Sequence, residues 1–217
     1  NKPDSAVAEM IRDDEIDILV DCSGFTEGNR LGVFALKPAP IQVTGWGYCT
    51  GTGLEQMDYL MGDEIVTPFE HQAHFTEQIV QLPTALTWSI PQIGELVPVG
   101  PLPMERNGYV TFGCLNRAQK ATPQTLALFA DVLAAVPDSR LILKGKGYVQ
   151  ASFRERLDRT MAEHNVDPQR VQTWPETTQA QHFATYQQID LALVPFGEGG
   201  GVTTLEALWL GVARITL

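Results

Sequence analysis

Beyond residue 107 the chain repeats one pattern: a short apolar run, then a stretch with apolar residues at helical spacing. The runs are Tyr109–Phe112, Leu141–Leu143, Arg170–Thr173, Ile189–Val194 and Arg214–Leu217. Between them lie Thr125–Val136, Ser152–His164, Gln179–Gln187 and Thr203–Leu210. The first of these helices has Pro123 near its start and Leu126, Phe129, Val132 and Leu133 on one face. Parallel strands need a crossover between them, and a helix supplies it, so this alternation predicts an α/β fold with a parallel sheet. Ligands of such sheets bind beyond the carboxyl ends of the strands. That singles out four loops, 113–122, 144–150, 174–179 and 195–204.

The opening part is less regular. Asp4-Ser5 caps a helical pattern over Ala6–Ile11, and Ile16–Val20 reads as a buried strand with a turn at 21–24. A helix is expected over Glu27–Ala35, stopped by Lys37-Pro38-Ala39-Pro40, because proline fixes φ and biases its predecessor away from helix. The strand Ile41–Thr44 then completes a right-handed parallel β–α–β unit. Gly45–Gly53 is a glycine-rich loop with Trp46 and Tyr48, and Tyr59–Met61 and Gln78–Leu82 read as further short strands. Prolines 83, 91, 98, 101 and 103 mark a linker. The expected division is residues 1–82, a linker at 83–106, and a second domain at 107–217.

A net charge of -11 argues against a general nucleic-acid binder, which needs a basic face, while leaving room for a local phosphate pocket. No stretch of about 18 apolar residues is present, so no membrane span is expected. Cys22, Cys49 and Cys114 are widely spaced and fit no zinc pattern, which suggests a reduced, cytoplasmic setting. His71 and His74 read as loop residues, and no metal site is expected. The chain begins without Met and stops inside an apolar run, so it reads as a fragment.

The most informative loop runs Pro195-Phe196-Gly197-Glu198-Gly199-Gly200-Gly201, then Val202-Thr203-Thr204-Leu205-Glu206. Glycines let backbone approach a ligand, and the N–H groups of the first helical turn, with the helix dipole, attract anions. Thr203 and Thr204 add hydroxyls, and Glu206, one turn in, is placed to accept from sugar hydroxyls. The plainer reading is a Thr-capped helix after a flexible turn. The glycines match neither the dinucleotide fingerprint nor a P-loop, which leaves a nucleotide-sugar site as the common class of phosphate ligand. In loop 113–122, Arg117 and Lys120 are either cations able to neutralise a leaving diphosphate or part of a solvated turn. Lys144-Gly145-Lys146-Gly147 has the same two readings. His182 either stacks on or hydrogen-bonds to a base, or is an ordinary helix histidine.

Four runs occur in a familiar order: Asp17-Ile18-Leu19-Val20-Asp21-x-Ser23-Gly24, Phe34-Ala35-Leu36-Lys37-Pro38-Ala39-Pro40-Ile41-Gln42-Val43, Phe112-Gly113-x-x-Asn116-x-x-x-Lys120, and Gly201-x-Thr203-Thr204-x-Glu206-Ala207-Leu208-Trp209-x-Gly211-Val212. Together they resemble the O-linked N-acetylglucosamine transferase/SPINDLY family of protein glycosyltransferases, from about Ile16 to Leu217. The resemblance implies a GT-B fold: two Rossmann-like halves with the active site in the cleft. Residues 1–100 would end an incomplete first half, and 107–217 would form most of the nucleotide-binding half.

The resemblance also implies an inverting transfer of a sugar from a nucleotide donor to protein Ser/Thr, without a metal. N-acetylglucosamine from UDP-GlcNAc is the leading donor. A GDP-fucose-type or other hexose transferase is the alternative, as is a non-catalytic nucleotide-binding remnant. Tetratricopeptide repeats would precede the catalytic region, and the fragment alone would be inactive.

By the same resemblance Lys120 stabilises the leaving diphosphate and Arg117 lies near the sugar phosphate. His182 contacts the base, Thr203 and its neighbour Thr204 bind phosphate, and Glu206 holds the ribose. Gly201 stands where animal members carry histidine. Phe25 replaces a polar residue of the family's Ser/Asn-Gly-His/Tyr-Thr, loop 45–53 departs from the usual pattern, and no counterpart of the family's candidate histidine base is present.

Overall fold

The protein is described by a computed structural model, over residues 2–47, 50–85, 88–89, 98–197 and 199–216. Tyr48 and Cys49 of the first glycine-rich loop, Pro91 of the linker, Glu198 of the second glycine turn, and Leu217 lie outside the described residues. The chain divides into two compact units, Asn1–Ser89 and Ile90–Leu217. Among the described residues no helix is long and apolar enough to cross a membrane.

The first unit contains α1 (Asp4–Asp13), β1 (Ile18–Asp21), α2 (Leu31–Ala35), β2 (Ile41–Thr44), β3 (Tyr59–Gly62) and β4 (Gln78–Gln81). Its four strands lie side by side in chain order, all parallel, with Ile18 opposite Ile41 and Tyr59 opposite Gln78. The helix expected from Glu27 starts only at Leu31. Residues 23–29 instead form two turns, Thr26 N–H to the Ser23 carbonyl and Asn29 N–H to the Thr26 carbonyl, each 3.0 Å, and Gly28 sits at φ +84°. His71 and His74 lie in a 3-10 turn, Phe69–His74, rather than an irregular loop. Among the described residues no cluster of His, Cys, Asp or Glu could hold a metal ion.

Two buried carboxylates shape the unit. Asp21, at the carboxyl end of β1, accepts from the N–H groups of Ser23 and Gly24 (3.0 Å each) and from the Thr44 hydroxyl (2.8 Å). The turn after β1 is thereby tied to the end of β2. Gly47 fits beneath that turn because it has no Cβ: one placed there would lie 2.4 Å from the Ser23 carbonyl carbon.

Glu77 has no exposed surface and accepts from Thr52 N–H (2.6 Å), Thr52 Oγ1 (2.5 Å) and Thr76 Oγ1 (3.0 Å). Burial alone would raise its pKa, but these hydrogen bonds outweigh it and hold the carboxyl below the usual 4.5. A carboxylate lowered in the folded state stabilises fully above its unfolded value and ceases to do so as pH falls through its folded value. Thermal melts should therefore show the first unit losing stability as pH drops below 4.5, with Glu77→Gln less stable at neutral pH and less acid-sensitive. Identical acid slopes in the two proteins would contradict this role.

The second unit is more regular. It runs α3 (Pro103–Asn107), β5 (Thr111–Cys114), α4 (Pro123–Ala135), β6 (Arg140–Lys144), α5 (Ala151–Glu163), β7 (Val171–Trp174), α6 (Gln179–Tyr186), β8 (Leu191–Leu193), α7 (Val202–Trp209) and β9 (Ala213–Ile215). All five strands are parallel, in the spatial order β7-β6-β5-β8-β9. Every strand–helix alternation expected beyond residue 107 is present. α3 occupies the end of the stretch expected to be a linker, with Pro103 at its start and Gly108 left-handed at its end.

Both faces of this sheet are covered, and the pleat sorts the side chains. Leu141 and Leu143 of β6 pack with Leu126, Phe129, Leu133 and Leu157 of α4 and α5. Ile142, between them, packs on the opposite face with Phe183 of α6 and Ala207 and Leu210 of the α7 end. Thr122 caps α4, accepting from Thr125 N–H at 3.2 Å, and Thr178 with Gln181 forms a capping box at α6. The capping box of α6 and the packing of α6 and α7 on the sheet fix the two helices that contribute to the site below.

Candidate nucleotide-sugar site

Strand order sets the location. From β5 the chain winds outward through β6 and β7, then returns to the other side of β5 as β8 and β9. The direction reverses between β5 and β8, and at such a point the loops leaving the two strands diverge to form a crevice. The loop after β5 carries Asn116, Arg117 and Lys120; the loop after β8 carries the glycine turn and opens into α7.

The two loops meet. Lys120 ends a 3-10 turn, Ala118–Lys120, and its Nζ donates to the Gly199 carbonyl at 3.0 Å. Asn116 Nδ2 donates to Thr203 Oγ1 at 3.2 Å. Gly200 sits against this contact: a Cβ there would fall 2.1 Å from Thr203 Oγ1 and 2.5 Å from Asn116 Nδ2. The glycine turn is thus required by close approach as well as by flexibility.

α7 begins at Val202 rather than at the threonines, with Gly201 as its N-cap and no side-chain cap. Thr203 and Thr204 therefore occupy the second and third helical positions, and they differ. The Thr204 hydroxyl donates to the Gly200 carbonyl and accepts from Arg214 Nη1 at 2.5 Å. Its hydrogen-bonding capacity goes into holding the turn. The Thr203 hydroxyl accepts from Asn116 and, among the described residues, has no acceptor for its own proton.

One helical turn on, Glu206 is buried, with Oε2 lying 3.2 Å from His182 Nε2 and 3.3 Å from the Tyr186 hydroxyl. His182 and Tyr186 are one turn apart on α6, so the two helices are joined through this carboxylate. Burial, then the neighbouring Glu206 charge, push the Tyr186 phenol well above its usual pKa, so it remains a donor. Arg117 is exposed and makes no side-chain hydrogen bond or ion pair among the described residues.

Lys144 is buried, unlike the exposed Lys146, and its Nζ donates to Thr177 Oγ1 at 2.7 Å. Burial lowers its pKa against the opposing pull of the Glu176 carboxylate. It anchors the loop before α6.

The structure thus brings Lys120, Gly201, Thr203, Thr204, Glu206 and His182 to the carboxyl edge of one sheet, with Arg117 at its rim. Asn116, Tyr186 and Arg214 also belong to this cluster, although sequence reasoning assigned them no role. A signal existed for two of them: Asn116 is a fixed position of the run that carries Lys120, and Tyr186 follows His182 by four on a helix. Arg214 had none, because its contact depends on β9 lying beside α7.

Residues 2–90 match Glycosyl transferase family 41. The chain is 39% identical over 212 residues to "Probable UDP-N-acetylglucosamine--peptide N-acetylglucosaminyltransferase SPINDLY" of Oryza sativa subsp. japonica, covering 97% of this chain and 23% of that protein. The chain therefore spans less than a quarter of this curated relative. A solved structure of a Thermobaculum terrenum O-GlcNAc transferase mutant superposes with TM-score 0.86 at 34% identity, over 99% of this chain and 40% of that one. Anabaena Alr3699/HepE, solved with UDP and glucose, shares the fold at TM-score 0.60 and 12% identity, over 97% of this chain and 61% of that one.

Proposed function

Because this chain belongs to the O-linked N-acetylglucosamine transferase/SPINDLY family, we propose that the protein carrying it moves N-acetylglucosamine from UDP-GlcNAc to Ser/Thr of protein acceptors. One observation carries the placement of the donor: at the reversal point of the second sheet, Lys120 and the α7 start face the same glycine turn. The uracil lies by His182, the ribose by Glu206, and the diphosphate over Thr203 with Lys120 opposite.

The acceptor oxygen forms the new bond to the anomeric carbon as the bond from that carbon to the β-phosphate oxygen breaks. The electron pair leaves with UDP, and the acceptor proton passes to a base outside this site. Lys120 Nζ exchanges the Gly199 carbonyl for a phosphate oxygen. Its charge and the helix dipole then balance the developing negative charge without a metal. Thr204 contributes by holding the turn through Gly200 and Arg214.

An assay of the whole protein with UDP-GlcNAc, GDP-fucose and a protein acceptor tests this reading. Transfer of N-acetylglucosamine, undiminished by EDTA, is the expected result. Transfer from GDP-fucose alone would reassign the donor, and loss of activity in EDTA would overturn the metal-free mechanism.

A further inference from the structure

We propose that Asn116 is a positioning residue that turns the Thr203 hydroxyl toward the donor diphosphate, a role resting on the donor placement above. A hydroxyl has one proton to donate and lone pairs to accept with. Asn116 Nδ2 can only donate, so the contact at 3.2 Å places a Thr203 lone pair toward Asn116 and directs the Thr203 proton elsewhere. Among the described residues no protein acceptor takes that proton. A phosphate oxygen at the α7 start would.

The amide is itself held in this sense. Asn116 is 5% exposed, and its Oδ1 accepts from Cys114 Sγ at 3.8 Å. Burial raises the Cys114 pKa, which keeps the thiol protonated and able to donate. Cys114 Sγ in turn lies 3.9 Å from the hydroxyl of Tyr148, a wholly buried side chain. With Oδ1 fixed toward sulfur, the amide nitrogen faces Thr203. The chain of contacts runs from the core behind β5 to the amino end of α7, and each hydrogen bond polarises the next.

The test is titration of the full chain with UDP and with uridine, followed by NMR. Asn116→Asp keeps the size of the side chain but reverses its role: a carboxylate accepts the Thr203 proton and adds negative charge beside the phosphates. It should weaken UDP about tenfold, a charged hydrogen-bond effect, while uridine changes less than about twofold. Asn116→Ala should weaken UDP by about threefold to tenfold, and should have little further effect in a Thr203→Val background, because the two residues act through one contact. Equal losses for UDP and uridine, unchanged UDP affinity, or additive effects of Asn116→Ala and Thr203→Val would overturn the inference while leaving UDP binding itself established. Failure of the unsubstituted chain to bind UDP would overturn the donor placement and this inference with it.

Discussion

Replacing Lys120 with alanine in the whole protein is expected to lower the turnover of sugar transfer about 10²–10³-fold, the usual consequence of removing one preorganised group that stabilises transition-state charge. The position explains the size of the effect. Lys120 leaves β5 on a short 3-10 turn and reaches across to the Gly199 carbonyl, so its charge is already aimed at the turn that precedes α7. In the proposed mechanism that charge matters most as the diphosphate departs, so kcat should fall far more than the affinity for UDP-GlcNAc. Lys120→Arg should recover only part of the loss, because a planar guanidinium presents its charge in a different geometry from a compact ammonium. Steady-state kinetics decide the matter. A kcat loss smaller than about tenfold for Lys120→Ala would remove Lys120 from the chemical step.

Asp21→Ala is expected to destabilise the first unit by on the order of 3 kcal/mol, since buried hydrogen bonds to a charged group each contribute about 1.5–3 kcal/mol and are not additive. The substitution leaves the Ser23 and Gly24 N–H groups and the Thr44 hydroxyl without their shared acceptor. The turn that carries Phe25 then loses its tie to β2, and Gly47 loses the turn it packs against. Asp21→Asn retains acceptor capacity through one oxygen and should cost less. Denaturant melts measure both. Equal stability of Asp21→Ala and the unsubstituted chain would show that the turn is held by something else.

Much of this was legible in the sequence, for reasons that differ by element. The second unit was read through its helical faces: Leu126, Phe129 and Leu133 recur at the spacing that packing against a sheet requires, and the structure buries them. β5 illustrates the limit. The run Tyr109–Phe112 predicts a strand there, yet the strand is Thr111–Cys114. Gly113 pairs within the sheet, and glycine is required there because the Ile189 side chain leaves no room for a Cβ. A single sequence does not show that close approach. α3 could have been read, since Pro103 and Gly108 are the ordinary start and stop residues of a helix. The proline-rich context obscured them.

At the site, the sequence points to Lys120, His182, Thr203 and Glu206, and the structure gathers these residues at one end of the second sheet. The sequence does not distinguish Thr203 from Thr204, which are adjacent and chemically alike. The distinction comes from their partners: Asn116 leaves the Thr203 proton available, while Arg214 and the Gly200 carbonyl occupy Thr204. The Asn116–Thr203 contact joins residues far apart in the chain, and the Arg214 contact depends on β9 lying beside α7.

On the proposed function, the α7 start and the loop after β5 hold the diphosphate of a UDP-sugar. Locating UDP on the chain, by NMR shift mapping or in a crystal, tests it most directly. UDP is expected to lie against residues 113–122 and 195–206, with His182 perturbed by the base and Lys120 and Thr203 by the phosphates. UDP bound elsewhere, or shifts absent from both loops at saturation, would contradict it.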